Sequence, residues 1–245
     1  LRLDRPHTPT LTMQIRYIFD VLSPFASLSW PVLRRYKKIW DFELVLQPVF
    51  LGGIMKGSGN KPPLLLPSRG KFMDEDLQRS GKLFDVPLLP LPSNFIPEAA
   101  IKVLACQRLL VAAQQDGNVD VEALVDSFSN AVHVDESFRT KENQLVIDET
   151  FVFKCCRQAG LDEQATSRLM IASKSHSAKE ALVQNTKDAL EAGVFGVPTF
   201  FISKTPDSDP MFVFGSDRFE QIAYLCDKPY YGPQPDRPTT LSTQG

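Results

Sequence analysis

The sequence has no excess of either charge and no long apolar run. Its 245 residues carry 27 Lys and Arg against 29 Asp and Glu, so the formal net charge is −2 at pH 7. Proteins that bind nucleic acid or an anionic membrane surface usually carry a basic excess, so this balance argues against both kinds of partner. No stretch contains the ~18 consecutive apolar residues that a membrane helix needs, and the sequence therefore predicts no membrane span.

Cysteine and histidine are also scarce. The cysteines are Cys106, Cys155, Cys156 and Cys226. They form no C-x-x-C pair, and adjacent cysteines on a helix point about 100° apart, which suits neither a mutual disulfide nor a shared metal. We predict free, mostly buried thiols in a reducing compartment, and no metal site. The histidines lie in polar stretches without a clustered partner, which predicts structural or surface roles for His7, His133 and His176.

Two strands with a helix between them are predicted near the start of the chain. Residues 15–22 alternate apolar side chains with a period of two, and residues 42–50, FELVLQPVF, do the same. Ser23 suits the N-cap of a helix and Pro24 suits its first position. We expect this helix to continue to about Trp40.

Proline and glycine shape the segments that follow. Pro31 lies inside the first predicted helix and should bend it. Residues 56–70, KGSGNKPPLLLPSRG, are predicted to form a polar, proline-rich loop. A loop of this length usually binds a ligand or a partner subunit.

The texture of the sequence changes from about residue 92 to residue 192, where period-3.6 patterns predict only helices. Strands return at 199–203 and 211–215, joined by the turn KTPDSDP, and a last helix is predicted over 216–226. The order is strand–helix–strand, helical block, then strand–strand–helix. This is the layout of an α/β thioredoxin fold with a large inserted all-helical subdomain, as in DsbA-type disulfide oxidoreductases.

This layout divides the chain into four parts. Residues 15–91 and 193–228 form the thioredoxin-like domain, and residues 92–192 form the inserted helical subdomain. Residues 1–14 are expected to be a disordered leader, because they suit neither a transit helix nor a secretion signal. The polar tail, 229–245, is expected to be disordered beyond its aromatic residues.

Four motifs, in order along the chain, resemble those of the kappa-class glutathione transferases: FDVLSPF at 19–25, GNKPPLLLP at 59–67, FGVPT at 195–199 and FGSDRFEQIAYL at 214–225. The resemblance spans about residues 15–233. Thioredoxin-like proteins place a nucleophilic cysteine at the strand-to-helix turn and a second cysteine three residues later. Ser23 and Ala26 occupy those places here, which excludes dithiol–disulfide exchange at this turn. Kappa-class enzymes likewise carry serine at the first place.

Ser23 is the predicted catalytic residue. A helix N-terminus has unpaired N–H groups and a partial positive charge, which stabilise an anion such as a thiolate. Since the chain has no cysteine at this turn, the thiolate must come from a ligand, and the resemblance implies glutathione as co-substrate. The Ser23 hydroxyl would donate a hydrogen bond to the glutathione sulfur and keep it ionised. On the sequence pattern alone, Ser23 could equally be a plain helix cap.

The resemblance implies further glutathione contacts around this turn. Pro24 and Phe25 are implied contacts in this turn, and the family commonly carries tyrosine where this chain has Phe25. Val197, ahead of a cis Pro198, would pair its backbone with the cysteinyl unit as an added strand. Standing alone, this proline would indicate only the start of an edge strand.

Other contacts are implied at the second and fourth motifs. Ser216 and Asp217, at the start of the last predicted helix, would hold the γ-glutamyl carboxylate and ammonium, although an ordinary N-cap has the same pattern. Asn60 matches a position that contacts glutathione. Arg69 stands where the family often carries lysine, and it would meet the glycyl carboxylate. Asp76, on the following helix, would act from the same or a partner subunit.

The leading functional prediction is a glutathione transferase that adds the thiolate to small hydrophobic electrophiles. A glutathione-dependent isomerase of the 2-hydroxychromene-2-carboxylate type shares the fold and the serine, and a non-catalytic thioredoxin-like binding module is the third interpretation. The GNKPP and GSDR motifs favour the transferase. The resemblance also implies a homodimer, detoxification, and a mitochondrial or peroxisomal location, with the cytosol left open. It implies no cofactor besides glutathione.

Overall fold

A four-stranded mixed sheet forms the centre of the fold in the computed structural model, which describes residues 12–237. The strands are β1 (Gln14–Phe19), β2 (Glu43–Pro48), β3 (Thr199–Ser203) and β4 (Met211–Phe214). They lie in the order β2-β1-β3-β4, with β1 parallel to β2 and antiparallel to β3, and with β4 antiparallel to β3. All four predicted strands are present, and the first two end before the predicted positions.

Helices cover most of the remaining described residues. The longer ones are α1 (Pro24–Trp40), α2 (Leu51–Ser58), α3 (Pro67–Phe84), α4 (Leu104–Asp116), α5 (Val121–His133), α6 (Glu149–Gln158), α7 (Glu163–Ser173), α8 (His176–Glu191) and α9 (Phe219–Leu225). Short helical turns lie at Pro63–Leu65, Phe95–Ala99, Ala100–Lys102 and Glu136–Phe138. Helices α4 to α8 lie between the two halves of the sheet in the sequence. The thioredoxin-like layout with a helical insertion is therefore confirmed.

The first helix starts where the sequence predicts. Ser23 caps it, Pro24 occupies its first position, and it ends at Trp40. Pro31 lies inside the helix without ending it. A buried stripe that includes Leu28, Val32 and Tyr36 faces the core, so this helix covers one face of the sheet.

The sheet and the inserted helices share one continuous apolar core. Tyr17 of β1, Trp30 of α1 and Phe128 of α5 are all buried in it. The rings of Tyr17 and Trp30 stack with their centroids 5.8 Å apart. The insertion therefore packs directly on the sheet and does not form a separate core.

The predicted loop over residues 56–70 is wrong, because most of this segment is helical. Helix α2 continues to Ser58, where Gly59 closes it with a left-handed backbone, φ 77°. Pro63 and Pro67 then occupy the first positions of the next helical turn and of α3. Proline is tolerated at the first helical position, so the residues that suggested a loop mark helix starts.

The tail also differs from its prediction, because residues 229–237 lie along α1. The indole Nε1 of Trp40 donates a hydrogen bond to the carbonyl oxygen of Pro229 at 2.8 Å. The Tyr36 hydroxyl donates to the carbonyl oxygen of Gly232 at 2.7 Å. These bonds hold the tail against α1 as a strap, so the prediction of disorder is wrong up to residue 237. Residues 238–245, and residues 1–11 of the predicted leader, lie outside the described part of the chain.

The four cysteines are free and buried, as predicted. His133 is buried too, with its Nε2 atom 2.9 Å from the carbonyl oxygen of Val21. Burial lowers the pKa of His133 to about 4, so the ring is neutral at physiological pH and has a structural role. Within residues 12–237, there is no cluster of His, Cys, Asp or Glu that could hold a metal ion. No helix in the same range is long and apolar enough to cross a membrane.

Candidate functional site

The Ser23 side chain lies at the junction of β1 and α1. It is 3% exposed, and its backbone is extended, which is the usual geometry of an N-cap. The Ser23 Oγ atom accepts a hydrogen bond from the Ala26 amide at 3.3 Å. The hydroxyl therefore closes the first turn of α1. Because Pro24 has no N–H group and the Ser23 amide donates to the carbonyl oxygen of Asp20, the Phe25 amide is the helix-terminal donor left to meet an anion.

The same hydroxyl reaches across to the third motif, FGVPT at 195–199. Ser23 Oγ donates a hydrogen bond to the carbonyl oxygen of Val197 at 3.4 Å. This distance is long for a hydroxyl donor, whose bonds cluster near ~2.7–2.8 Å, so the bond is weak. A ligand sulfur or oxygen that approaches the N-terminus of α1 can therefore replace this carbonyl as the acceptor of the Ser23 hydrogen bond at little cost.

The segment before β3 lies across from the Ser23 turn. The Val197–Pro198 peptide bond is cis, as the resemblance implies. The amide of Gly215 donates to the carbonyl oxygen of Pro198 at 3.1 Å, which ties the turn after β4 to this segment. Thr199 then begins β3, and its Oγ1 donates to the carbonyl oxygen of Gly196 at 2.8 Å. The predicted third and fourth motifs thus meet.

Ser216 and Asp217 lie in the turn between β4 and α9. The helix begins at Phe219, so the predicted start at residue 216 is wrong by three residues. Gly215, with φ 114°, reverses the chain first, and this backbone cannot continue into a helix. Ser216 is buried, whereas the Asp217 carboxylate is exposed, with its Oδ1 atom 3.6 Å from Nε of Arg218. The pair therefore offers a hydroxyl and a carboxylate from a turn.

Asn60 reaches the same region from the end of α2. Its Nδ2 donates a hydrogen bond to the carbonyl oxygen of Phe195 at 2.8 Å, and its Oδ1 accepts from the Lys61 amide at 2.8 Å. Phe195 lies two residues before Val197. Contacts within the described residues thus connect the predicted site residues Ser23, Val197, Pro198 and Asn60.

Two predicted residues are not joined to this group. Arg69 and Asp76 both lie on α3. Asp76 pairs with Arg79, its Oδ1 atom 3.5 Å from Nη2, and the Arg69 side chain makes no hydrogen bond or ion pair within residues 12–237. Neither contacts the Ser23 turn or the residues around Val197 through a hydrogen bond or ion pair.

An aromatic cluster beside the site was missed by the sequence analysis. The rings of Phe195 and Phe214 lie 4.6 Å apart, and Phe212 is 6.1 Å from Phe195. All three rings are partly exposed. The alternation of Phe212 and Phe214 along β4 was the available signal, because such residues lie on the same face of a strand. The cluster provides an apolar surface next to Asn60.

Phe25, a predicted contact at the Ser23 turn, is half-buried at the start of α1.

A buried carboxylate under the Ser23 turn was also missed. Asp20 is fully buried, and its Oδ1 accepts from the Leu22 amide at 2.9 Å while its Oδ2 accepts from the Leu51 amide at 2.8 Å. Burial raises the pKa of Asp20 to about 6, against the lowering effect of these two N–H donors. The signal in the sequence was a single acid between buried Phe19 and Val21.

The geometry supports stabilisation of a ligand anion. The N-terminus of α1, the weakly bonded Ser23 hydroxyl and the backbone carbonyl of Val197 meet at one place. None of the four cysteines is part of this turn, and all four are buried. This arrangement can position and stabilise an anionic nucleophile that a bound ligand brings.

Comparison with known proteins identifies the family of the chain. A family model described as a DSBA-like thioredoxin domain matches residues 14–227. Glutathione S-transferase kappa 1 from Rattus norvegicus is 30% identical over 223 residues, covering 90% of this chain and 94% of the relative. Glutathione S-transferase kappa 1 from Homo sapiens is also 30% identical, over 92% of this chain and 96% of the relative.

Solved structures share the fold at lower identity. The structure of a 2-hydroxychromene-2-carboxylate isomerase superposes with a TM-score of 0.68 and 22% identity, covering 87% of this chain and 94% of the isomerase. The cytosolic disulfide reductase DsbM from Pseudomonas aeruginosa, solved with GSH, has a TM-score of 0.54 and 17% identity, covering 91% and 94%. These similarities show the fold.

Proposed function

Since the chain belongs to the DsbA-like thioredoxin family and, within it, to the kappa-class glutathione transferases, we propose that it transfers glutathione to small hydrophobic electrophiles. The observation that carries the proposal is the Ser23 hydroxyl at the N-terminus of α1, weakly bonded at 3.4 Å to Val197. A glutathione sulfur placed there replaces the carbonyl oxygen of Val197 as acceptor. The protein is then an enzyme that activates a bound thiol without a nucleophile of its own.

The reaction follows from the charge of the sulfur. The Ser23 hydroxyl, the Phe25 amide and the dipole of α1 stabilise the thiolate more than the thiol, so they lower the pKa of bound glutathione. The thiolate attacks the electrophilic atom, a carbon–sulfur bond forms, and the leaving group departs with its electron pair. The exposed rings of Phe195, Phe212 and Phe214 offer an apolar surface for the electrophile beside this sulfur.

The rest of glutathione extends away from Ser23 in this proposal. Its cysteinyl backbone pairs with Val197, where Pro198 begins the approach to β3. The γ-glutamyl carboxylate meets Ser216, and its ammonium meets the exposed carboxylate of Asp217. Asn60 lies along the peptide.

Arg69 and Asp76 complete this proposal from α3. Arg69, which has no ion pair within residues 12–237, provides a cation for the glycyl carboxylate. Asp76 acts from the same subunit or from a partner subunit. Its only described ion pair is with the exposed Arg79, so its carboxylate is available for a further contact.

Replacement of Asp217 by Asn is expected to weaken glutathione binding by ~1–3 kcal/mol, because a charged hydrogen-bond partner is lost while the shape is kept. Isothermal calorimetry with glutathione measures the loss. Asp207→Asn is the matched control, since it removes an exposed carboxylate from the turn between β3 and β4. Equal affinity of wild type and Asp217→Asn would place the γ-glutamyl end elsewhere.

A glutathione-dependent isomerase remains the second candidate, because the 2-hydroxychromene-2-carboxylate isomerase structure shares this fold over 87% of the chain. Both activities use the same thiolate at Ser23, so the bound sulfur does not separate them. Conjugation of an aryl halide such as chlorodinitrobenzene, together with isomerisation of 2-hydroxychromene-2-carboxylate, does. Glutathione binding without either activity would indicate a non-catalytic binding module.

We also propose a homodimer formed through the surface around α3. Leu65 is 63% exposed, Leu66 50% and Phe72 60%, an apolar area that a monomer would leave in water. Asp76 lies on α3, one turn beyond Phe72, so this arrangement brings Asp76 close to the partner.

Sedimentation is expected to give twice the mass of the 27.4 kDa chain at micromolar concentration. Phe72→Asp is expected to shift the species towards the monomer, because it places a charge within the buried interface. Tyr224→Asp is the control, since it changes another exposed aromatic ring, on α9. A wild-type monomer would contradict the proposal.

The cellular location is a further proposal. Similarity to kappa-class enzymes supports an intracellular role in detoxification, in mitochondria or peroxisomes, with the cytosol as the alternative. The four free, buried thiols support a reducing compartment. Fractionation of cells that express the full natural protein distinguishes the three locations.

A further inference from the structure

The buried Asp20 carboxylate connects the turn that leads to Ser23 with the start of α2. Its Oδ1 atom accepts from the Leu22 amide at 2.9 Å, inside the turn that leads to Ser23, and the Ser23 amide donates to the Asp20 carbonyl oxygen at 2.9 Å. Its Oδ2 atom accepts from the Leu51 amide at 2.8 Å. Each carboxylate oxygen therefore holds a different element.

The second of these bonds caps α2. Leu51 is the first residue of the helix, and the preceding residue, Phe50, has no side chain that could accept from a helix-terminal amide. Asp20, 31 positions earlier in the chain, supplies that acceptor. A negative charge at a helix N-terminus is also favoured by the helix dipole. Helix α2 ends at Gly59, and Asn60 follows it to meet the carbonyl oxygen of Phe195.

A buried amide from the inserted helices braces the same place. Gln107 of α4 donates from Nε2 to the carbonyl oxygens of Phe19, at 3.1 Å, and Val49, at 2.7 Å. Its Oε1 accepts from the Val21 amide at 3.4 Å. The ends of β1 and β2 are thus fixed on both sides of Asp20, and the carboxylate cannot leave its two donors without breaking this packing.

We infer that Asp20 is a positioning residue for glutathione binding: one carboxylate oxygen holds the turn that carries Ser23, and the other holds the start of α2, which leads to Asn60. This inference rests on the proposed function. An ionised carboxylate accepts at both oxygens, whereas a protonated carboxyl group or an asparagine has a donor group on one side. Protonation leaves one of the two amides, Leu22 or Leu51, with a weaker acceptor, and asparagine leaves it with none, so either change loosens one side of the site.

The carboxyl group of Asp20 changes its ionisation within an accessible pH range. Burial raises its pKa to about 6, so it is ionised at neutral pH and protonated at about pH 5. The Cys106 thiol of α4 is close enough to interact electrostatically with Asp20, and burial raises the pKa of this thiol well above its usual value. His133 of α5 contacts the carbonyl oxygen of Val21 and has a pKa of about 4, lowered by burial. Neither of these neighbours changes charge between about pH 5 and 7.

The test measures the affinity of S-methylglutathione by calorimetry at about pH 7.5 and about pH 5. The methylated sulfur cannot ionise, so repulsion between a thiolate and the Asp20 carboxylate does not enter. Wild type is expected to bind roughly tenfold more weakly at the lower pH, the size of one lost hydrogen bond. Asp20→Asn is expected to show the weaker affinity at both values.

Asp217→Asn is the second arm, because Asp217 is an exposed carboxylate of the same site. It is expected to bind S-methylglutathione more weakly than wild type at both pH values, and to keep the roughly tenfold difference in affinity between them. Disappearance of this difference in this variant, or Asp20→Asn binding as tightly as wild type at about pH 7.5, overturns the inference. If Asp20→Asn does not fold, the wild-type comparison still decides, since equal affinity at both pH values overturns it. No binding to wild type at either pH contradicts the proposed function itself.

Discussion

Replacement of Ser23 by Ala is expected to raise the pKa of the thiol of bound glutathione towards the ~8.5 of a free thiol. A hydrogen bond to a charged group contributes ~1.5–3 kcal/mol, which corresponds to roughly one to two pKa units. The Ser23 hydroxyl is available for this bond, because its present bond to the carbonyl oxygen of Val197 is long, at 3.4 Å, and therefore weak. About 3% of a thiol with a pKa of ~8.5 is ionised at pH 7, so turnover at neutral pH should fall by roughly ten- to thirtyfold.

The pH dependence gives the sign of the effect. Serine stabilises the ionised sulfur, so its contribution is present where wild type binds thiolate and the alanine variant binds thiol. Above the pKa of a free thiol, both proteins bind thiolate, and the difference in turnover should shrink. Thiolate absorbance of bound glutathione against pH measures this shift directly. Superimposable titration curves would mean that Ser23 serves only as a helix cap.

The chain offers a matched control for the cap. Ser175 caps α8 through the same geometry, with its Oγ atom accepting from the Ala178 amide at 3.2 Å. Ser175→Ala and Ser23→Ala should each cost about 1 kcal/mol of stability through loss of the cap. Only Ser23→Ala should change the titration of bound glutathione. The comparison separates the chemistry of the hydroxyl from its contribution to the helix.

Local patterns accounted for the sheet and the start of α1. The period-two alternation of residues 15–22 and the Ser23–Pro24 pair are each contained in a few consecutive residues, and the strand and helix form where these predict. The catalytic hypothesis for Ser23 depends on the same short stretch together with the family resemblance. The helix-start signal at Pro63 and Pro67 was equally local, but it was interpreted as a loop.

Long-range contacts could not be predicted in this way. The Asp20 carboxylate is paired with Leu51, 31 positions away, and Gln107 reaches Phe19 across 88 positions. The strap over α1 depends on Trp40 and Pro229, which are 189 positions apart. No periodicity within either partner encodes such a bond, since it exists only after the sheet and the insertion have packed. The side chains that shape the site from below therefore became visible only in the folded structure.

Substitution of Gly215 by Ala is expected to damage the γ-glutamyl end of the site more than a simple turn mutation would. The backbone of Gly215 has φ 114°, and an added Cβ would lie 2.8 Å from Oδ1 of Asp217. The positive φ alone costs about 1–3 kcal/mol of stability for a residue with a Cβ. The collision also displaces the Asp217 carboxylate, so glutathione affinity should fall by roughly ten- to a hundredfold.

Gly160→Ala isolates the collision from the backbone strain. Gly160 also has a positive φ, 88°, but a Cβ there meets nothing within 4 Å, and it lies two residues past the end of α6. Both variants should unfold at lower denaturant concentration than wild type, because both have the strained backbone. Only Gly215→Ala should also lose glutathione affinity in calorimetry. Equal affinity of the two variants would mean that the position of the Asp217 carboxylate does not matter for binding, whatever the turn contributes to stability.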